Sequence, residues 1–291
     1  MLSEYKSIKP MDTLSLQDFR DRARIIISIG SCFWQIECVK KPGQPGLTGK
    51  GRSENRKRLF QVGSVRLESH EQTRREPMDL SNVYFVIGTS YAGKSTIVKN
   101  LAKKHGGIAL EENYHDAKLP ELDSREFPGL TYTRDLQDWH EFIRRTPEEY
   151  VSWLKSTQKE CEIVELRMIE ELLEKPEAQG KKIFVDTNIC METLHRISDD
   201  RHVLVMLADP EIGIHRFFDR PDPEKQFLYR LMLEEPDPQA ALDNYREILT
   251  RVCSRESYDE LLHSGFQVIF RDEDRSQEET VLLAERIFGI S

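Results

Sequence analysis

The segment VYFVIGTSYAGKSTIVKNLAKKHGG, Val83 to Gly107, passes from an apolar run through a glycine-bounded turn into a basic stretch. Val83–Ile87 is unbroken, apolar and largely β-branched or aromatic, the composition of a strand buried on both faces. Ser95–Lys104 places Ile97, Val98 and Leu101 on one side at helical spacing. Between them stand Gly88, four residues, Gly93, Lys94 and Ser95, which fit G-x-x-x-x-G-K-[ST] in full. A buried strand before such a turn and a helix after it make backbone N–H groups and the helix N-terminus converge, which favours a bound anion. The anion expected is a phosphate chain. Gly88 and Gly93 take turn dihedrals closed to other residues, Lys94 reaches the β- and γ-phosphates, and the Ser95 hydroxyl ligates Mg²⁺. Thr89, Ser90, Tyr91 and Ala92 complete the cofactor-binding turn, and Thr96 at its edge reads as the next helix residue rather than a ligand. A similar string, GLTGKG (Gly46 to Gly51), has Gln44 for the first glycine and Gly51 for Ser/Thr, and no strand precedes it. It reads as a turn.

The chain has 291 residues, 38% of them hydrophobic, enough to bury roughly three quarters of its unfolded surface. No apolar run approaches the roughly 20 residues needed to cross a bilayer, and MLSEYKSIKP lacks the layout of a secretion signal. The expectation is a soluble, cytoplasmic protein without a membrane partner. Five scattered cysteines (Cys32, Cys38, Cys161, Cys190, Cys253) form no C-x-x-C pair, so neither a disulfide frame nor a zinc site is expected. Residues 1–77 hold 15 Lys+Arg and 9 Asp+Glu, a net +6, whereas the rest hold 27 and 42, a net −15. The acidic bulk argues against nucleic acid as a partner, since that needs a basic face.

Residues 1–77 contain one short apolar run, RIIISIG, followed by turn formers and like charges. They read as a weakly ordered basic leader. Arg52 to Arg58 is expected to be a solvated run, and Met78, just before the ordered pattern starts, is a candidate for the true start. From residue 78 to 291 strands and helices alternate, the signature of an α/β layer fold with a parallel sheet. Strands are expected at Val83–Ile87, Ile108–Leu110, Ile183–Asp186, Val203–Leu207 and Phe266–Phe270, with a closing helix over Gln277 to Phe288. A helical insertion occupies about 117–180. Its clearest helix starts at the Thr146 N-cap, with Pro147 first and Glu149 returning the bond, and is expected to run to Gly180. Tyr150, Leu154, Thr157, Cys161, Val164, Met168 and Leu172 form its core stripe. Between the fourth and fifth strands, Asp-Pro-Glu helix starts stand at Asp209 and Asp222.

Asp186 closes the strand IFVD, a suitable place for a carboxylate that orients Mg²⁺, with a turn cap as the other reading. Thr187 follows it where many ATPases have a glutamate that activates water, so transfer to an acceptor is favoured over hydrolysis. With GTSYAGKST, LEENYHD, FVD and VLVMLADPEIGIHRFFDR in this order, the chain from Asn82 to about Ile290 resembles the P-loop small-molecule kinases of the nucleoside-monophosphate-kinase, shikimate-kinase and deoxynucleoside-kinase type. The resemblance implies a three-layer P-loop NTPase fold and a five-stranded parallel sheet in order 2-3-1-4-5. It also implies an acceptor site beside the helical insertion, and a lid over about 210–236 whose arginines close on ATP.

Phosphoryl transfer needs in-line positioning, charge neutralisation and exclusion of water. Arg216 and Arg220, four apart and so on one helix face, are expected to present guanidinium forks from the lid, with Arg230 as a further candidate. The acceptor base is expected among Glu111, Glu112 and Asp116. Glu112 is chosen because a glutamate after the second strand does this work in deoxynucleoside kinases, and adjacent glutamates on an extended chain point different ways. His115 reads as an exposed loop histidine, with a base or acceptor contact as its alternative. Tyr132, Arg134, Trp139 and His140 could hold a ring and an anion, with core packing the simpler reading for Trp139. The Asp-Arg-Tyr/Ser signature of deoxynucleoside kinases and the shikimate-kinase arginine and glycine pattern are absent, so the small-molecule acceptor is not named. The expected activity is an ATP- and Mg²⁺-dependent kinase; a nucleotide-binding regulatory module is the alternative.

Overall fold

β1 (Val83–Gly88) is the middle strand of the sheet because its side chains are apolar on both faces and all but the last residue are buried. The computed structural model describes residues 78–219 and 222–290. The expected leader, its basic run, Cys32, Cys38 and Arg220 lie outside them.

From Leu80 onward the described residues belong to one unit. After β1 come α1 (Lys94–His105), β2 (Ile108–Leu110) and a 3-10 segment, Tyr114–Glu121. The insertion follows as α2 (Pro128–Asp135), α3 (Trp139–Ile143) and α4 (Pro147–Leu173). Next are β3 (Ile183–Asp186), α5 (Met191–Ile197) and β4 (Val203–Leu207). The rest is α6 (Pro210–His215), α7 (Pro223–Leu233), α8 (Pro238–Val252), α9 (Arg255–Leu262), β5 (Gln267–Phe270) and α10 (Gln277–Phe288). All strand pairs are parallel and the order is β2-β3-β1-β4-β5, as expected. Successive strands fall on both sides of β1, and such sheets bind ligands outside the carboxyl ends of their strands.

Two apolar cores flank the site. One joins Tyr84, Val86, Phe184, Leu204 and Met206 of the sheet to Ile97, Val98 and Leu101 of α1 and to Val281 and Phe288 of α10. The other is helical and brings Phe142, Tyr150 and Trp153 of α3 and α4 against Phe227, Leu228, Leu231, Tyr245 and Ile248 of α7 and α8. The segment expected to act as a lid therefore shares a core with the insertion.

Three local expectations change. α4 opens with the expected capping box, Thr146 with Glu149, but stops at Leu173, because Lys175 is extended ahead of Pro176, as a residue before proline prefers; Gly180 (φ 70°) sits in the later turn to β3. The last strand begins at Gln267 rather than Phe266. α6 ends at His215 and a 3-10 turn, Phe217–Asp219, follows, so the helix face expected to carry Arg216 and Arg220 together does not extend past Arg216. Among the described residues no helix is long and apolar enough to cross a membrane, and Cys161, Cys190 and Cys253 are free thiols.

Candidate functional site

The loop from Gly88 to Gly93 is shaped by backbone demands that only certain residues meet. At Gly88 (φ 139°) a Cβ would fall 1.8 Å from the Met206 carbonyl oxygen, the same oxygen that accepts the Thr89 N–H at 3.0 Å. Only glycine fits there. Gly93 (φ 93°) turns the chain into α1, whose first turn has no side-chain cap and no acidic residue, leaving its positive end for an outside anion. Lys94 is 7% exposed and arches back so that Nζ donates to the Thr89 carbonyl at 3.1 Å. Thr89 is tied to the end of β4, its Oγ1 accepting from Ala208 N at 2.7 Å.

Tyr91 adopts φ 63°, a left-handed conformation costly for a bulky residue. Its surroundings hold it there. The hydroxyl donates to the Arg216 carbonyl at 2.7 Å, the Tyr91 carbonyl accepts from the Arg271 guanidinium, and Lys225 Nζ lies 5.5 Å from the ring centroid. Beside it, Tyr91, Ala92, Gly93 and Thr96 face Ile269, Phe270, Arg271 and Gln277 across an open cavity of about 290 Å³.

Strand register sets the next pair. Val86 of β1 is opposite Asp186 of β3, so the carboxyl ends of both strands emerge side by side, and Ser95 Oγ donates to Asp186 Oδ2 at 2.7 Å. Asp186 is 3% exposed. Burial pushes its carboxyl up to about 7, against the pull of the Lys94 ammonium and with a further push from the Glu112 charge.

The two glutamates after β2 differ in their surroundings, and Glu112 stands in a turn rather than on an extended chain. Glu111 turns outward to an exposed ion pair with Lys99 at 2.8 Å. Glu112 is half-buried, and its charge is felt at both Asp186 and Glu224. Asp116 is set instead beside His115, 3.6 Å from its Nε2. His115 is a correction: it is fully buried, because the 3-10 segment turns it under the loop toward α4. There its Nδ1 meets Glu165 Oε1 at 2.9 Å and its Nε2 meets Cys161 Sγ at 3.4 Å. Burial opposes a charged ring, yet the hydrogen bond and charge of Glu165, backed by Asp116, hold its pKa above the ordinary histidine value.

Of the arginines expected in a lid, Arg216 brings its backbone to Tyr91 and has an exposed side chain. Arg230 is exposed, with Nε donating to Gln226 O at 3.3 Å. The insertion quartet disperses. Arg134 donates to the Leu119 and Leu122 carbonyls at 2.6 and 2.8 Å and braces the 3-10 segment. Trp139 packs edge-on against Phe142 and Phe227, and His140 pairs with Glu235 at 2.5 Å. Tyr132 is covered by the Arg145 guanidinium, 4.0 Å from its ring centroid.

Lys225, Glu224, Arg271 and Glu165 are absent from the sequence-based set. Lys225 is 3% exposed, lies 3.4 Å from Asp222 and faces the Phe217 and Tyr91 rings. A lysine in the first turn of a helix opposes the dipole, a signal readable from PEK. Burial raises the Glu224 carboxyl, with Asp222 and Glu112 adding to the rise. Glu165 sits four residues past Cys161 on the apolar stripe of α4, an odd place for a charge. Among the described residues no three His, Cys, Asp or Glu side chains gather as a metal cage. Compared with known proteins, the chain matches no family model, no curated protein and no solved structure.

Proposed function

We propose that this chain is a P-loop phosphotransferase, a kinase that moves the γ-phosphoryl group of ATP to a hydroxyl or phosphate of a small molecule with the help of Mg²⁺. The observation that carries this reading is the bond from Ser95 to the buried Asp186, beneath a glycine loop that ends on an uncapped helix and a folded-back lysine. A hydroxyl and a carboxylate beside a phosphate cradle make the oxygen donor set that suits Mg²⁺, an ion usually held by one or two protein oxygens together with substrate phosphates and water. Ser95 and Asp186 would hold it, and it would supply charge neutralisation at the phosphates.

The chain's own groups account for the rest. The loop N–H groups and the positive end of α1 hold the phosphates, and Lys94 exchanges its bond to Thr89 for one to a phosphate oxygen. Glu112 takes the proton of the acceptor hydroxyl as its oxygen bonds to phosphorus and the bond to the departing ADP oxygen breaks. Arg216 supplies charge from the lid side. The cavity beside Tyr91 and Phe270 is the space for the nucleotide base, with the half-exposed Phe270 ring as a stacking surface.

The test is calorimetric titration of the full chain with MgATP, followed by ADP release against pooled nucleosides, nucleotides, sugars, shikimate-like acids and aminoglycosides. Wild type should bind and respond to one pool, and Lys94→Ala should lose both. Absence of MgATP binding by the wild type would overturn the reading. Binding without stimulation by any acceptor would favour the regulatory alternative.

A further inference from the structure

Glu165 is fully buried in the middle of α4, and every group that meets its carboxyl is a donor. Thr187 Oγ1 reaches it at 2.6 Å, Asn188 N at 2.9 Å and Asn188 Nδ2 at 2.8 Å. From the other side come His115 Nδ1 at 2.9 Å and the Tyr114 hydroxyl at 3.3 Å. The first two residues directly follow Asp186 on β3; the other two directly follow the turn that carries Glu112. One side chain of the insertion thus fastens the two loops on which the catalytic carboxyl groups sit. One residue after Asp186, the Thr187 N–H also bonds to Val86 O at 3.2 Å and ties the start of this loop to β1.

Stability is a poor reason for this arrangement. A buried charged network rarely exceeds a well-packed apolar one in stability, and the neighbours Cys161 and Val164 already belong to an apolar cluster with Leu119, Phe127 and Leu130. What the carboxyl supplies is a fixed geometry for the two loops, which also meet directly where the Tyr114 and Thr187 side chains hydrogen-bond.

We infer that Glu165 is a positioning residue, which sets the Asp186 and Glu112 loops for Mg²⁺-nucleotide through Thr187, Asn188, His115 and Tyr114. The inference rests on the kinase reading above. Partners behind metal-holding groups typically change metal affinity by roughly 10- to 100-fold when altered; because Glu165 acts one step further out, the effect belongs near the lower figure.

The probe is ADP, titrated into the full chain with Mg²⁺ and with a chelator. Affinity for free ADP reports the glycine loop and Lys94, and the gain on adding Mg²⁺ reports Ser95 and Asp186. Glu165→Gln keeps the shape but turns amide protons toward donors, so it should cut the Mg²⁺ gain roughly tenfold and leave free-ADP affinity unchanged. Thr187→Val and Asn188→Ala, which each remove one donor and leave Glu165 in place, should cut the gain in the same direction by less, and they carry the test if Glu165→Gln does not fold. A full Mg²⁺ gain in these variants would overturn the inference. So would an equal fall with and without Mg²⁺, which would mark Glu165 as scaffold alone. A wild type that binds no ADP, or binds it equally with and without Mg²⁺, would instead remove the nucleotide reading, and the inference with it.

Discussion

At Asp186 a carboxyl is buried beside Ser95, and the folded protein bears the cost. Its pKa of about 7 against a usual 3.8 corresponds to a difference on the order of 4 kcal/mol between protonation states. The sign follows from linkage: the folded chain binds this proton more tightly than the unfolded one, so the contribution is fully present below pH 3.8 and is lost as pH rises to about 7. Asp186→Asn can still accept the Ser95 hydroxyl and does not ionise. Its ligand-free melting temperature should therefore gain on the wild type between pH 5 and pH 8, while its stabilisation by MgADP falls to that given by ADP without Mg²⁺. Parallel melts at the two pH values check this; a constant difference would contradict the burial argument. Glu112 and Glu111 form a matched contrast. Glu112→Gln should abolish acceptor-dependent ADP release with little change in MgATP affinity. Glu111→Gln breaks only an exposed pair with Lys99 and should change stability by less than about 1 kcal/mol and turnover not at all.

At the scale of elements, α4 decides how the site is assembled. Its 27 residues make a rod about 40 Å long. The first turns carry Tyr150, Trp153 and Leu154 into the helical core, the middle carries Cys161 and Val164 under the 3-10 segment, and Glu165 reaches the strand ends. Helix α8 packs on the same rod, with Tyr150 and Tyr245 ring centroids 6.2 Å apart, and α7 packs on α8 and on α3, where Trp139 meets Phe227. The segment that brings Arg216 and Lys225 to the glycine loop is thus anchored from behind. Leu228→Ala, at a fully buried position of α7, should cost about 2–5 kcal/mol in urea unfolding. Thr146→Ala removes the N-cap of the rod and should cost about 1 kcal/mol by the same measurement. A larger loss from the cap than from the core leucine would contradict this picture of the helical core.

For the molecule as a whole, what was legible in the sequence divides along physical lines. β1, β3 and β4 could be read because strands covered on both faces need unbroken apolar runs, and the glycine loop because its dihedrals admit so few residues. The order of the strands entered through the family resemblance rather than through any pattern in the strands themselves. An apolar stripe announces that a helix has a partner but not which one, so the core that the insertion shares with the segment over about 210–236 stays hidden. The same limit hid the burial of His115 and Glu165, which depends on α4 meeting two loops distant in sequence. Arg216 and Arg220 were placed on one helix because periodicity does not show where α6 gives way to a 3-10 turn. The joined cores make one last expectation. Because α4 enters the helical core at one end and fastens the strand-end loops at its middle, the sheet and the helices should unfold together. With Trp34→Phe in place, tryptophan fluorescence comes from Trp139 and Trp153 alone, both in the helical core, whereas far-UV circular dichroism follows all elements. The two urea transitions should coincide. MgADP at a hundredfold excess over its Kd should move both by the same amount, about 2.7 kcal/mol, although neither tryptophan belongs to the loop it binds. A fluorescence transition that stays in place while the dichroism transition moves would mean that the helical core is an independent unit, and that α4 does not carry the state of the glycine loop across the molecule.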